Sequence, residues 1–103
     1  MAAAYGISSE LKNRIPYYKL FPKLSRREIE VLVLYCSGML RHEIALELHI
    51  SISTVETHLS NAMHKYELER YSELRHLFYL KFINALANII WMAEPINDLE
   101  GAR

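Results

Sequence analysis

The sequence predicts an all-helical domain, and three observations predict it. Apolar residues recur at helical spacing in successive stretches from residue 24 onward. Gly and Pro are scarce, three of each in 103 residues, and no run alternates apolar and polar residues long enough for a strand. Half of the chain, 51%, is apolar, enough for one small core.

Residues 1–23 are read as a basic arm or clasp. Lys12, Arg14, Lys19 and Lys23 stand against Glu10 there, a net charge of +3. Within it, Ser8 or Ser9 can cap a short helix carrying Ile7, Leu11 and Ile15. Pro16 ends or bends that helix, because the residue before Pro avoids the helical region. Tyr17, Tyr18, Leu20 and Phe21 follow as an aromatic patch interleaved with Lys19 and Lys23. Such a patch either touches a nucleic acid backbone or packs on the domain behind it.

The next helix opens on Ser25-Arg26-Arg27-Glu28, a capping box in which Ser25 and Glu28 satisfy each other's backbone N–H groups. Ile29, Leu32, Val33 and Cys36 make one stripe, and Val31, Leu34 and Tyr35 extend it around the helix. A helix apolar on nearly all sides is central. Gly38 stands where a helix C-terminus wants a Gly.

From Leu40 to Tyr66 the pattern is a short helix, a tight turn and a second helix. Ile44, Ala45 and Leu48 share a stripe of the first, about Arg41–Leu48. Ser53-x-x-Glu56 reads as a second capping box, so the second helix is expected over Thr54–Tyr66. Val55, Leu59, Ala62 and Tyr66 form its inner stripe, and Ile50 plugs the angle between the two. This leaves a small, polar outer face, the pattern of a helix-turn-helix that reads DNA.

Ser72 is the expected cap of a last helix, about Glu73–Ala93, that stops before Pro95 and leaves 95–103 as a tail. Residues 72–94 are more apolar than one stripe requires. Lys81, Asn84 and Asn88 interrupt the apolar run, which argues against a membrane span. The surplus implies a cover, either the N-terminal segment or a second copy of the helix.

With these motifs placed, residues 24–74 resemble the LuxR/GerE (FixJ/NarL-type) helix-turn-helix family. The resemblance rests on LSRREIEVL at 24–32, Gly38, HEIALEL at 42–48, ISISTVETHLSN at 50–61, Lys65 and SEL at 72–74, without a gap. It implies a four-helix LuxR-type domain, here with a short N-terminal helix or arm and an extended C-terminal helix. The third family helix enters the major groove and the fourth often pairs two copies. The chain departs from the family at three points. His49 stands where a small residue or Gly is usual, at roughly 1 kcal/mol if the backbone is left-handed. Tyr66-Glu67-Leu68 replaces a linker that is often Leu-Gly-Val. Only about 23 residues precede the unit, where most relatives carry an input domain.

A helical wheel at about 100° per residue sets Thr57, Ser60, Asn61 and His64 opposite Val55. These are the candidate base contacts, with Asn61 able to pair bidentately with adenine. Candidate phosphate contacts are Arg26, Arg27, Arg41, Ser51, Ser53, Thr54, His58 and Lys65. Glu56 could accept from cytosine, but its stronger reading is the capping partner of Ser53. Candidate dimerisation residues are Leu74, Phe78, Phe82, Leu86 and Ile89.

Residues 24–70 carry a net charge of −2, so phosphate attraction must come from local placement, the basic arm or a partner. The five His residues offer no metal spacing, and Cys36 has no second Cys. No phosphate loop, carboxylate pair or nucleophile elbow is present, so neither an enzyme nor a cofactor is expected. A lone Cys and the absence of a secretion signal in MAAAYG fit the cytoplasm, of a bacterium if the resemblance holds. The expected partners are double-stranded DNA and a second copy. The alternatives are a module that pairs with a related regulator, or a domain like region 4 of a sigma factor that binds RNA polymerase.

Overall fold

The computed structural model describes residues 17–93, and all its regular elements there are helices. They are α1 (Tyr17–Leu20), α2 (Arg26–Cys36), α3 (Arg41–Leu48), α4 (Ile52–Lys65) and α5 (Tyr71–Ala93). The expected helix around Ile7–Ile15 and the tail at 95–103 lie outside the described residues.

α2 is the central rod. Ser25 accepts from the Glu28 N–H at 3.2 Å and donates its own N–H to Glu28 Oε1 at 2.8 Å, the predicted box. Val31 to Cys36 are all buried, as a helix apolar on every side requires. Gly38 follows at φ +103° and turns the chain back toward α3. α3 starts where predicted, with the Glu43 carboxylate accepting from the Leu40 N–H at 2.8 Å.

The turn between α3 and α4 puts His49 at φ 59° and ψ 44°, in the left-handed region. Glu67, in the linker after α4, sits at φ 55°. Both positions where the sequence lacks the family's small residue therefore adopt a backbone that favours Gly.

α4 packs on α2 and α3. Val55, Leu59 and Ala62 are fully buried, and Ile50 and Tyr66 pack partly buried on the same core. The start of α4 differs from the expectation. Ser51, not Ser53, is the cap: its Oγ accepts from the Thr54 N–H at 3.0 Å. The helix begins at Ile52, so the box position is Thr54 and Glu56 lies two residues too far along to complete a box; the Ser53–Glu56 pair does not form.

α5 likewise begins earlier, at Tyr71, and Ser72 does not cap it. Glu73 Oε1 accepts from the Glu69 and Arg70 N–H groups at 2.9 and 2.8 Å and holds the first turn. Its first half closes the core. Leu74 and Phe78 are buried, and Phe78 stacks on Phe21, Tyr17 and Phe82 with ring centroids at 5.8, 6.1 and 5.8 Å. Phe21 itself is buried, so the end of the aromatic patch belongs to the core. The Tyr79 hydroxyl donates to the Cys36 carbonyl at 2.7 Å, tying α5 to the end of α2. Beyond Phe82, α5 runs on with Ile83, Ile90, Trp91 and Met92 exposed.

Candidate nucleic-acid interface

The inner stripe of α4 fixes its outer face. Thr57, Asn61 and His64 are exposed and Ser60 is half-buried. The four stand together as the wheel predicts. Side chains exposed along one side of a helix suit insertion into a groove. The Thr57 hydroxyl rests on the Ser53 carbonyl at 3.0 Å. It is therefore aligned along the helix, with its oxygen still able to accept.

The sequence points to Ser53 as the cap of α4 and a phosphate contact, not as a member of this face. With Ser51 acting as the cap, Ser53 is exposed in the first turn of α4. At about 100° per residue it falls within the arc of about 100° that holds Thr57, Ser60, Asn61 and His64. No sequence signal separates the two serines, because Glu56 three residues on made Ser53 look like the cap. The stripe is thus Ser53, Thr57, Ser60, Asn61 and His64, without a carboxylate.

Each flank of α4 holds a cation already engaged by a carboxylate. On one flank, Lys65 Nζ lies 2.7 Å from Glu28 Oε1. The Glu28 side chain is only 6% exposed, whereas Lys65 is 40% exposed. Burial alone raises the Glu28 pKa. The hydrogen bonds from Lys65 and from the Ser25 N–H outweigh it and hold the carboxyl below its ordinary value of 4.5. Lys65, expected on phosphate, is therefore committed to the capping box of α2. His58, beside it, is half-buried, and its Nδ1 has no partner among the described residues.

On the other flank, Arg41 Nε donates to Glu56 Oε1 at 3.1 Å. The guanidinium lies over the rings of Tyr71 and Tyr35, at 4.9 and 5.4 Å from their centroids. Glu56 thus serves Arg41 rather than the helix start. Of the other predicted phosphate contacts, Arg26 is exposed with Glu30 at 3.7 Å. Arg27 is bound to Glu30 at 2.7 Å and to the Leu48 carbonyl at 3.3 Å. Ser51 and Thr54 share a hydroxyl hydrogen bond of 2.8 Å at the helix start.

The predicted dimerisation residues divide. Leu74 and Phe78 are corrected: they close the protein's own core and offer nothing to a second chain. The cause is the packing of the first half of α5 on α1 and α2, which fills that stripe. Phe82, Leu86 and Ile89 are half-buried. Tyr79, Leu80, Ile83, Ile90 and Trp91 carry the exposed apolar area instead. Among the described residues no group of His, Cys, Asp or Glu forms a metal site, and no helix is long and apolar enough to cross a membrane.

Comparison with known proteins agrees with this geometry. The chain is 39% identical over 61 residues to the response regulator protein VraR of Staphylococcus saprophyticus, covering 58% of this chain and 29% of that protein. It is 39% identical over the same length to the response regulator protein VraR of Staphylococcus aureus, covering 59% and 28%. The chain thus spans less than a third of the length of these relatives. No solved structure matches it. Residues 22–78 match the model of the bacterial regulatory proteins of the luxR family. That match takes in all of α2, α3 and α4 and the start of α5 as far as Phe78, so this chain is a helix-turn-helix member of the luxR family of bacterial regulatory proteins.

Proposed function

We propose that this chain is the DNA-reading unit of a transcription regulator and that α4 enters the major groove. The observation that carries the reading is the outer face of α4: small, polar, free of carboxylates and held rigid by Val55, Leu59 and Ala62 behind it. Asn61 would read adenine through its amide. Thr57, Ser60 and His64 would contact base edges or phosphate. Arg26, at the start of α2, and Ser53 and Thr54, at the start of α4, are placed for the backbone. The response-regulator names of the relatives support the same class of activity.

Two copies would pair through the distal half of α5, using the outward stripe of Leu80, Ile83 and Ile90 with Trp91 beside it. A dimer places two readers about one helical turn apart on DNA. Two readers on one duplex also double the phosphate and base contacts available to a unit whose own net charge is −2.

Selection of bound duplexes from a random pool, followed by a salt titration, tests the reading. The expected result is an enriched site, and a log–log salt dependence with a steep negative slope. Ile83→Asp should convert a dimer to a monomer by sedimentation. A chain that selects no duplex, yet pairs with another luxR-family regulator, would replace the DNA reader with a pairing module.

A further inference from the structure

The flanks of a groove-reading helix face the two phosphate backbones. The major groove is about 12 Å wide, and a helix with its side chains spans about 10–12 Å. On one flank of α4 the carboxylate in play, Glu28, is buried beneath the helix as part of a cap. On the other flank the carboxylate is Glu56. It is 49% exposed and does nothing for the helix start, which Ser51 caps. Its bond is to Arg41, itself 34% exposed and stacked on Tyr71 and Tyr35.

An exposed carboxylate at this place opposes DNA in two ways. It repels phosphate directly, and it occupies the one cation that the start of α3 presents to that backbone. The Arg41–Glu56 pair is exposed, so the fold gains little from a negative charge at Glu56. Resting on the DNA-reading function proposed above, we infer that Glu56 is a built-in brake on DNA affinity that acts by withholding Arg41 from phosphate.

Glu56→Gln tests this, because the amide keeps the size of the side chain but not the charge that holds Arg41, so a phosphate outcompetes it for the guanidinium. The full-length chain is titrated with a mixed-sequence duplex of about 30 bp over a range of salt. Non-specific duplex suffices, since phosphate contacts are independent of sequence. One released phosphate contact per protomer steepens the log–log salt slope by about 0.9 and tightens binding about fivefold at 0.15 M salt. The melting temperature should barely move, because the pair is exposed. In an Arg41→Ala background the same Glu56→Gln change should no longer steepen the slope and should keep only the small part of the affinity gain that comes from direct repulsion.

Binding by Glu56→Gln with the wild-type slope and affinity would overturn the brake while leaving the DNA-reading function standing. A gain that persists undiminished without Arg41 would also overturn it, by showing that Glu56 acts through repulsion alone. If neither wild type nor Glu56→Gln binds any duplex, the DNA-reading function falls, and the brake with it.

Discussion

Replacing Glu28 by Gln isolates the charge that locks α4 to α2. Glu28 Oε1 accepts from the Ser25 N–H at 2.8 Å and from Lys65 Nζ at 2.7 Å. Glutamine keeps the size and the accepting oxygen, so the box survives and only the ionic character of the Lys65 bond is lost. A hydrogen bond to a charged group contributes about 1.5–3 kcal/mol and a neutral one about 0.5–1.5 kcal/mol. The difference is about 1 kcal/mol, with solvent screening at the partly exposed Lys65 holding it to that lower end. Glu28→Ala removes the cap's second half as well and should cost about 2–3 kcal/mol. In a domain of this size 1 kcal/mol moves Tm by about 4–8 °C, so Glu28→Gln is readable by circular dichroism at fixed protein concentration.

The pH dependence makes the test specific. The folded pKa of Glu28 is depressed, so its stabilisation is fully present above the unfolded carboxylate value. It is lost as pH falls through the lower folded value. The gap between wild type and Glu28→Gln is therefore widest at neutral pH and closes in acid below the ordinary 4.5. A gap of less than about 0.3 kcal/mol at neutral pH, or one unchanged down to about pH 3, would refute the reasoning.

Three further outcomes are expected. Ser51→Ala should lose about 1 kcal/mol by urea denaturation while Ser53→Ala stays within about 0.5 kcal/mol, and Ser53→Ala alone should weaken duplex binding. His49→Gly and Glu67→Gly should each raise stability by about 1 kcal/mol, since both residues occupy left-handed backbone; an unchanged urea midpoint in both would contradict that. Burial pushes the Cys36 thiol up to about 12, so a thiol reagent near neutral pH should label it only as fast as the domain opens, and native-state labelling without denaturant dependence would argue against its burial.

The helices and their inner faces follow from local residue order alone. The stripes Ile44-Ala45, Val55-Leu59-Ala62 and the nearly all-apolar run of α2 leave no other way to remove that surface from water, and each is buried as read. Local order determined the Ser25–Glu28 box too, because both partners lie within one turn. Local chemistry could not choose between Ser51 and Ser53 as the cap of α4, since both fit within two residues of each other. The turn geometry set by His49 and the burial of Ile50 decided it, and released Ser53 to the outer face. Lys65 with Glu28, 37 residues apart, and Arg41 with Glu56, 15 apart, carry no sequence signal, since pairing across helices depends on which faces meet. The same holds for α5. Its excess of apolar residues was visible in the chain, but only packing on Phe21 and Cys36 showed that Leu74 and Phe78 belong to the core, leaving Leu80, Ile83 and Ile90 facing out. Periodicity records how many faces a helix must hide; which neighbour covers each one is a property of the assembled fold.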